Sequence, residues 1–121
     1  NADAQIGAVT VGGDWVASTI VAGVMDGNNG FGNSRDTKIV GSGATDRPEI
    51  VSKIASISIG GLALGTPNSV NAADSFGIEA QQIGALKVGG FAIPLNAGAA
   101  NDLTGLLVGL TGDLEVLEVG L

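Results

Sequence analysis

The chain contains one eight-residue phrase three times, as Ile6-Gly-Ala-Val-Thr-Val-Gly-Gly13, Ile54-Ala-Ser-Ile-Ser-Ile-Gly-Gly61 and Ile83-Gly-Ala-Leu-Lys-Val-Gly-Gly90. Each copy runs aliphatic, small, small, aliphatic, polar, β-branched aliphatic and then Gly-Gly. The residues before the glycines alternate between apolar and polar with the period of two that is typical of a β-strand with one buried face. The phrase therefore predicts three short strands, each ending at a glycine corner where the chain turns away sharply.

The same alternation predicts the direction of the side chains. The polar residues of the phrase, Thr10, Ser58 and Lys87, should face solvent. The aliphatic residues on either side of them should meet in one shared core. These residues are Val9, Val11, Ile57, Ile59, Leu86 and Val88.

Further short strands are predicted between the copies of the phrase. Each is an aliphatic segment bounded by Gly, Asn, Asp or Pro, and with the phrases they give about nine strands. The segments are 18–24, 38–40, 62–64, 76–80, 91–95 and 114–119. Residues 1–121 are predicted to form a single glycine-rich domain, because 121 residues are enough for one core and too few for two ordinary domains.

Two all-β architectures accept many short strands with glycine corners. One is a parallel β-helix, or β-solenoid, in which each coil stacks on the one before, and the other is an antiparallel β-sandwich. Antiparallel hairpins should show Asn-Gly or Asp-Gly links between paired strands, yet Asp26-Gly27 and Asn29-Gly30 lie together in one polar segment. The repeated phrase therefore predicts the parallel β-helix, and the sandwich is the alternative.

A helix competes with the strand prediction in two segments. Residues 101–113 place leucines at helical spacing after a capping residue, but Gly105, Gly109 and Gly112 each cost about 1 kcal/mol relative to alanine inside a helix. A short helix over 74–80 is the second alternative. Strand is the preferred prediction for both segments.

Composition and charge exclude several classes of function. Without cysteine or histidine the chain cannot form disulfides, zinc fingers, haem-type ligation or Ser-His-Asp triads. Twelve acidic residues against five basic ones give a net charge of −7, which repels nucleic acid and anionic lipid surfaces. No apolar run approaches the roughly 18 residues of a membrane helix. Neither nucleic acid nor membrane insertion is therefore expected, and the start at Asn1 indicates a processed product or an excised segment.

The polar segment Met25–Asp36 has features of a calcium loop. Such loops place oxygen ligands at fixed positions around a tight glycine turn, because Ca²⁺ prefers several hard oxygen ligands. Counted from Asp26, Asn28 lies in a ligand position, whereas Gly30 and Asp36 each fall one residue early. Asp26, Asn28 and Asp36 are therefore a candidate calcium site, and a solvated loop of turn-forming residues is the preferred interpretation. No other cofactor is predicted.

No set of residues predicts catalysis. The chain has no Gly-Lys-Ser/Thr phosphate loop. Paired carboxylates for glycoside cleavage are available in Glu49, Glu79, Glu115 and Glu118, but their proximity does not follow from this spacing. Glu115 and Glu118 are predicted to lie on a solvated face. Trp15 is either a sugar-stacking platform or an apolar plug, and the plug is preferred. The chain is predicted not to be an enzyme.

Four segments of the chain together have a familiar pattern: 6–24, 54–66, 76–95 and the closing Thr111-Gly-Asp-Leu-Glu-Val. They resemble the repetitive parallel β-helix segments of large bacterial surface and secreted proteins of the adhesin or haemagglutinin type. Those segments are stalks and adhesive rods. The resemblance therefore implies a structural or cell-surface role and brings no catalytic residues with it.

These observations predict a structural or adhesive element outside the cell or on its surface. The tail 114–121 is strand-like and apolar, strand residues begin by Ile6, and neither end has an evident cap. We therefore expect a second copy, joined end to end into a filament or stalk, or adjacent repeats of the same polypeptide as the partner. The alternative from another class is a calcium- or carbohydrate-binding β module of a secreted protein.

Overall fold

The computed structural model describes residues 1–66 and 74–121, and all regular structure in these two ranges is β-strand, as predicted. Most strands are short, because glycine or turn-forming residues interrupt the aliphatic segments every few positions. The strands are β1 (Gln5–Val11), β2 (Trp15–Val16), β3 (Ile20–Val21), β4 (Val24–Met25), β5 (Thr37–Lys38), β6 (Lys53–Ile59), β7 (Ala63–Leu64), β8 (Phe76–Ala80), β9 (Gln82–Ile83), β10 (Leu86–Val88), β11 (Phe91–Ile93), β12 (Leu106–Leu107) and β13 (Leu114–Glu118).

The three copies of the phrase lie side by side in one sheet. β6 pairs in parallel with β1 on one side and with β9 and β10 on the other. The register has no offset, since Ile57 is opposite both Val9 and Leu86. Equivalent residues of the phrase are therefore neighbours in space.

The predicted side-chain directions of the phrase are confirmed. Thr10, Ser58 and Lys87 are exposed. Their aliphatic neighbours all face one core, where full burial of such a side chain contributes about 1.5 to 3 kcal/mol. Ile57, Ile59 and Leu86 are buried there, and Val9, Val11 and Val88 are half-buried against the same cluster.

The core lies between the two larger sheets. The first sheet has the order β1-β6-β10-β11, with β9 also paired to β6, and the second has the order β3-β8-β13-β12. Ile54 and Ile57 from the first sheet meet Ile78 and Val116 from the second in one buried cluster. Two further pairs, β2 with β7 and β4 with β5, form small sheets of their own.

The prediction of a parallel β-helix is wrong. Within residues 1–66 and 74–121 the strands form four small sheets that do not close into a solenoid, and the pairs β4·β5, β10·β11 and β12·β13 are antiparallel. The two larger sheets instead enclose the core in a sandwich-like arrangement. That arrangement differs from the antiparallel alternative as well, because β1, β6 and β10 are parallel.

One glycine pair explains why the third copy of the phrase departs from the prediction. Val88 is opposite Phe91, so Gly89 and Gly90 form the whole loop of the β10–β11 hairpin. Their φ values of +58° and +83° are those of a two-residue type I′ turn, which glycine adopts at no steric cost. The glycines at 12–13 and 60–61 have no positive φ and form corners instead. The same dipeptide therefore makes two different turns.

Neither helical alternative is present. Residues 76–80 form β8, and residues 106–107 form β12. Gly109 and Gly112 have φ values of +78° and +77°, which a right-handed helix does not contain. Within residues 1–66 and 74–121, no helix is long and apolar enough to cross a membrane.

Candidate functional site

The residues of the predicted calcium loop lie in one hairpin. β4 and β5 are antiparallel, with Met25 opposite Thr37, and residues 26–36 form the loop between them. The polar segment is therefore the tip of a hairpin, and it packs on strand β8 of the second sheet through Gly32.

Asp36 organises this hairpin loop from its C-terminal end. The side chain is only 5% exposed. Its Oδ1 accepts from the Gly27 amide at 3.2 Å, and its Oδ2 accepts from the Gly32 and Asn33 amides at 2.9 and 3.0 Å. Both oxygens of Asp36 are thus engaged with backbone donors of the loop.

The other two calcium candidates have different surroundings. Asp26 Oδ1 accepts from the Asn29 amide at 3.0 Å, which is a local turn contact. Asn28 is exposed and has a φ of +77°, a conformation that asparagine tolerates better than most residues. In the part of the chain that the structure describes, no three or more Asp, Glu, His or Cys residues are placed to hold a metal ion. The structure therefore brings the three candidates into one loop without assembling them into an acidic ligand set.

Glu79 is the partner of Asp36, and the sequence did not predict their contact. Glu79 lies on β8 and is 0% exposed. The Gly32 amide donates to its Oε1 at 2.5 Å and also to Asp36 Oδ2, so one N–H joins the two carboxyl groups. Glycine is required at position 32, because a side chain there would collide with the Phe76 backbone.

The surroundings of Glu79 favour the protonated form of its carboxyl group. The pKa of Glu79 is raised to about 8, first by burial and then by the hydrogen bond to Asp36, the charge of Asp36 and the charge of Glu115, against the lowering effect of the Gly32 amide. Glu79 Oε2 is buried, and no donor among the described residues reaches it. A protonated Glu79 supplies its own donor, and the side-chain hydrogen bond with Asp36 favours this protonated form. The pair fastens the hairpin loop to the second sheet.

Glu115 and Glu118 do not form the predicted solvated face. Glu118 is 1% exposed, and its Oε1 accepts from the Ile83 amide at 2.8 Å. Its Oε2 accepts from the amides of Asn101 and Asp102 at 2.8 and 3.2 Å. Glu115 is half-buried, and burial followed by the charge of Asp36 raises its pKa. The buried acids of β8 and β13 serve as acceptors that hold loops against the sheets.

Trp15 lies in the position predicted for an apolar plug. It is half-buried and packs against the main core cluster. Its indole Nε1 donates to the Ser18 carbonyl at 3.0 Å, so the polar edge of the ring is occupied by a local contact. This arrangement does not favour the sugar-stacking interpretation.

The outer edges of β1, β2 and β3 form a second candidate site, which we call the parallel end. These three successive strands lie in parallel on β6, β7 and β8, and each is paired on one side only within the described residues. The aliphatic residues of β1, Ile6, Val9 and Val11, are only half-buried, whereas the matching residues of β6 are fully buried. The core is therefore incompletely covered at this end.

A signal for Glu79 does exist in the sequence. It is the one acid within Phe76–Ala80, a strand whose last four residues are all buried. An acid in a buried strand needs a partner. Its partner comes from a hairpin far away in the chain, which residue spacing does not reveal.

The chain was compared with family models, with curated proteins and with solved structures, and no match was found. The functional argument therefore rests on the geometry of the chain itself.

Proposed function

We propose that the chain is a structural or adhesive module of an extracellular or cell-surface protein, and that it acts by association through the edges of its sheets. The observation that carries the proposal is the parallel end. Its longest strand, β1, has seven residues, QIGAVTV, with no charged residue and no proline. Natural proteins protect long edge strands with charges, proline or a covering element, because unpaired backbone groups on an edge bind another strand.

The buried acids are consistent with a structural role. Asp36 and Glu118 accept from backbone amides, and Glu79 is paired with Asp36. Catalytic acids and bases must reach a substrate. These side chains are instead buried and directed at the protein's own backbone. Their arrangement favours support of the sheets over chemistry on a ligand.

Sedimentation velocity of the chain over a wide concentration range tests the proposal. We expect the weight-average mass to rise with concentration, and electron microscopy of the concentrated sample to show elongated particles. The net charge of −7 makes copies of the chain repel one another, so moderate salt should be present to screen this repulsion. A monomer that stays monomeric at every concentration would contradict the proposal.

A further inference from the structure

The strands of the two larger sheets are stacked in corresponding order, from one end of the molecule to the other. Each begins at the parallel end, with β1 in the first sheet and β3 in the second. Each finishes with a hairpin strand, β11 in the first sheet and β12 in the second. We call the outer edges of β11 and β12 the hairpin end. The molecule thus has two different ends, and each sheet has one edge strand at each end.

The strand count of the two sheets matches. Both paths, β1-β6-β10-β11 and β3-β8-β13-β12, contain four strands. With neighbouring strands about 4.8 Å apart, a second copy displaced by about 19 Å along the stacking direction would bring β1 beside β11 and β3 beside β12 in one step. β11 runs antiparallel to its neighbour β10, and β12 runs antiparallel to its neighbour β13. Both new contacts would therefore be antiparallel. The pair β2·β7 takes no part in this continuation.

The chemistry of the two ends also matches. None of β1, β3, β11 and β12 contains a charged residue, although the chain carries a net charge of −7. At the hairpin end, Phe91 is 78% exposed and Leu107 is 58% exposed. At the parallel end, the half-buried aliphatic residues of β1 lack a cover. Contact between unlike ends would bury apolar groups on both and bring no like charges of these strands together.

We propose that a second copy of this chain is the occupant of the parallel end, and that copies join head to tail through β11 on β1 and β12 on β3. The inference rests on the proposed function and adds the surfaces and the partner. Such a contact joins two different surfaces, so it leaves a free end on each side and continues into an open filament. β11 provides only three residues, and we therefore expect association at about 10 to 500 µM rather than tight binding.

Two lysine variants block one end each. Ala8 is exposed on β1, and Ala8→Lys places a charge on the parallel end. Phe91 is exposed on β11, and Phe91→Lys does the same at the hairpin end. Ser34→Lys, in the exposed part of the hairpin loop, changes the net charge equally and leaves both ends intact. Unfolding curves of all three variants establish that they are folded.

The head-to-tail arrangement predicts a result for a mixture of Ala8→Lys and Phe91→Lys that other arrangements do not predict. Each blocked variant alone should be a monomer at concentrations where the wild type and Ser34→Lys associate. An equimolar mixture of the two variants should form a 1:1 dimer and nothing larger. The free parallel end of Phe91→Lys binds the free hairpin end of Ala8→Lys, and only the two blocked ends are then left. Filaments of the wild type should show an axial repeat of about 19 Å.

Three results would overturn the head-to-tail contact. If Phe91→Lys alone still dimerises while Ala8→Lys does not, two parallel ends meet each other. If the wild type associates but the mixture stays monomeric, the two unlike ends do not bind each other, and self-association as the proposed function still stands. If the wild type never associates, both proposals fall.

Discussion

Glu79 links the stability of the fold to pH, because its pKa is raised in the folded chain. Its pKa is about 8 in the folded chain and 4.5 in the reference state. Between these values the folded chain holds a proton on Glu79 that the unfolded chain releases, so the contribution of Glu79 to stability is complete below about pH 4.5, declines as pH rises and is lost above about pH 8. Each pKa unit corresponds to about 1.4 kcal/mol.

We therefore expect the free energy of unfolding to fall by about 2 to 4 kcal/mol between about pH 5 and pH 8.5. Glu79→Gln should remove most of this slope, because the amide is neutral at every pH, accepts from Gly32 and donates to Asp36. Urea unfolding at a series of pH values, followed by the fluorescence of Trp15, the only tryptophan, measures this free energy for the wild type and for Glu79→Gln.

Glu118→Gln is the matched control for this prediction. Glu118 is equally buried, but both of its oxygens face backbone amides rather than another carboxylate. Its amide variant loses one acceptor and should be less stable at every pH while the slope remains. A Glu79→Gln variant with the wild-type slope would show that the proton resides elsewhere.

The glycines that end the three copies of the repeated phrase have different structural roles. Gly90 has a φ of +83° in the β10–β11 turn. Gly60 lies in a corner where an added Cβ would be 2.8 Å from the Gly12 carbonyl oxygen. Gly13 has no neighbour within 4 Å of such an atom and no positive φ. The phrase is therefore one pattern in sequence and three environments in space.

Alanine substitution should separate these roles. Gly90→Ala should cost about 1 to 2 kcal/mol, because a left-handed conformation is unfavourable for any residue with a Cβ. Gly60→Ala should cost at least about 1 kcal/mol, since a backbone carbonyl has to move. Gly13→Ala should change stability by no more than about 0.5 kcal/mol. Equal effects at all three positions in urea unfolding would contradict the assignment of distinct turns.

Strand positions and buried faces were predictable from the sequence, and strand directions were not. The alternation in Val9, Thr10 and Val11 specifies the inward side wherever the strand lies. The Gly-Gly pair after each strand permits both a corner and a type I′ hairpin, and the choice depends on tertiary contacts. Likewise, an acid in β8 was visible, but its contact with Asp36 required the fold of a distant hairpin.

Across the whole molecule, the central strands of the two larger sheets are paired on both sides, and the strands at the two ends are paired on one side. β6 and β8 each have strands on both sides, whereas β1, β3, β11 and β12 are edges of the two larger sheets. Fluctuations that expose backbone amides require less free energy at edges than in central strands. Local stability should therefore vary along the stacking direction rather than along the sequence.

Hydrogen exchange of the backbone amides measures this variation in local stability across the whole molecule. In dilute, monomeric solution, amides of β6 and β8 should exchange at least about tenfold more slowly than those of the four edge strands. On raising the concentration until the chain associates, β1, β3, β11 and β12 should gain protection, because these edges acquire new backbone partners. β6 and β8 should change little, since their hydrogen bonds are already complete within the monomer. Protection that instead appears in the hairpin loop 26–36, or at one end alone, would show that copies meet through a surface other than the two unlike ends.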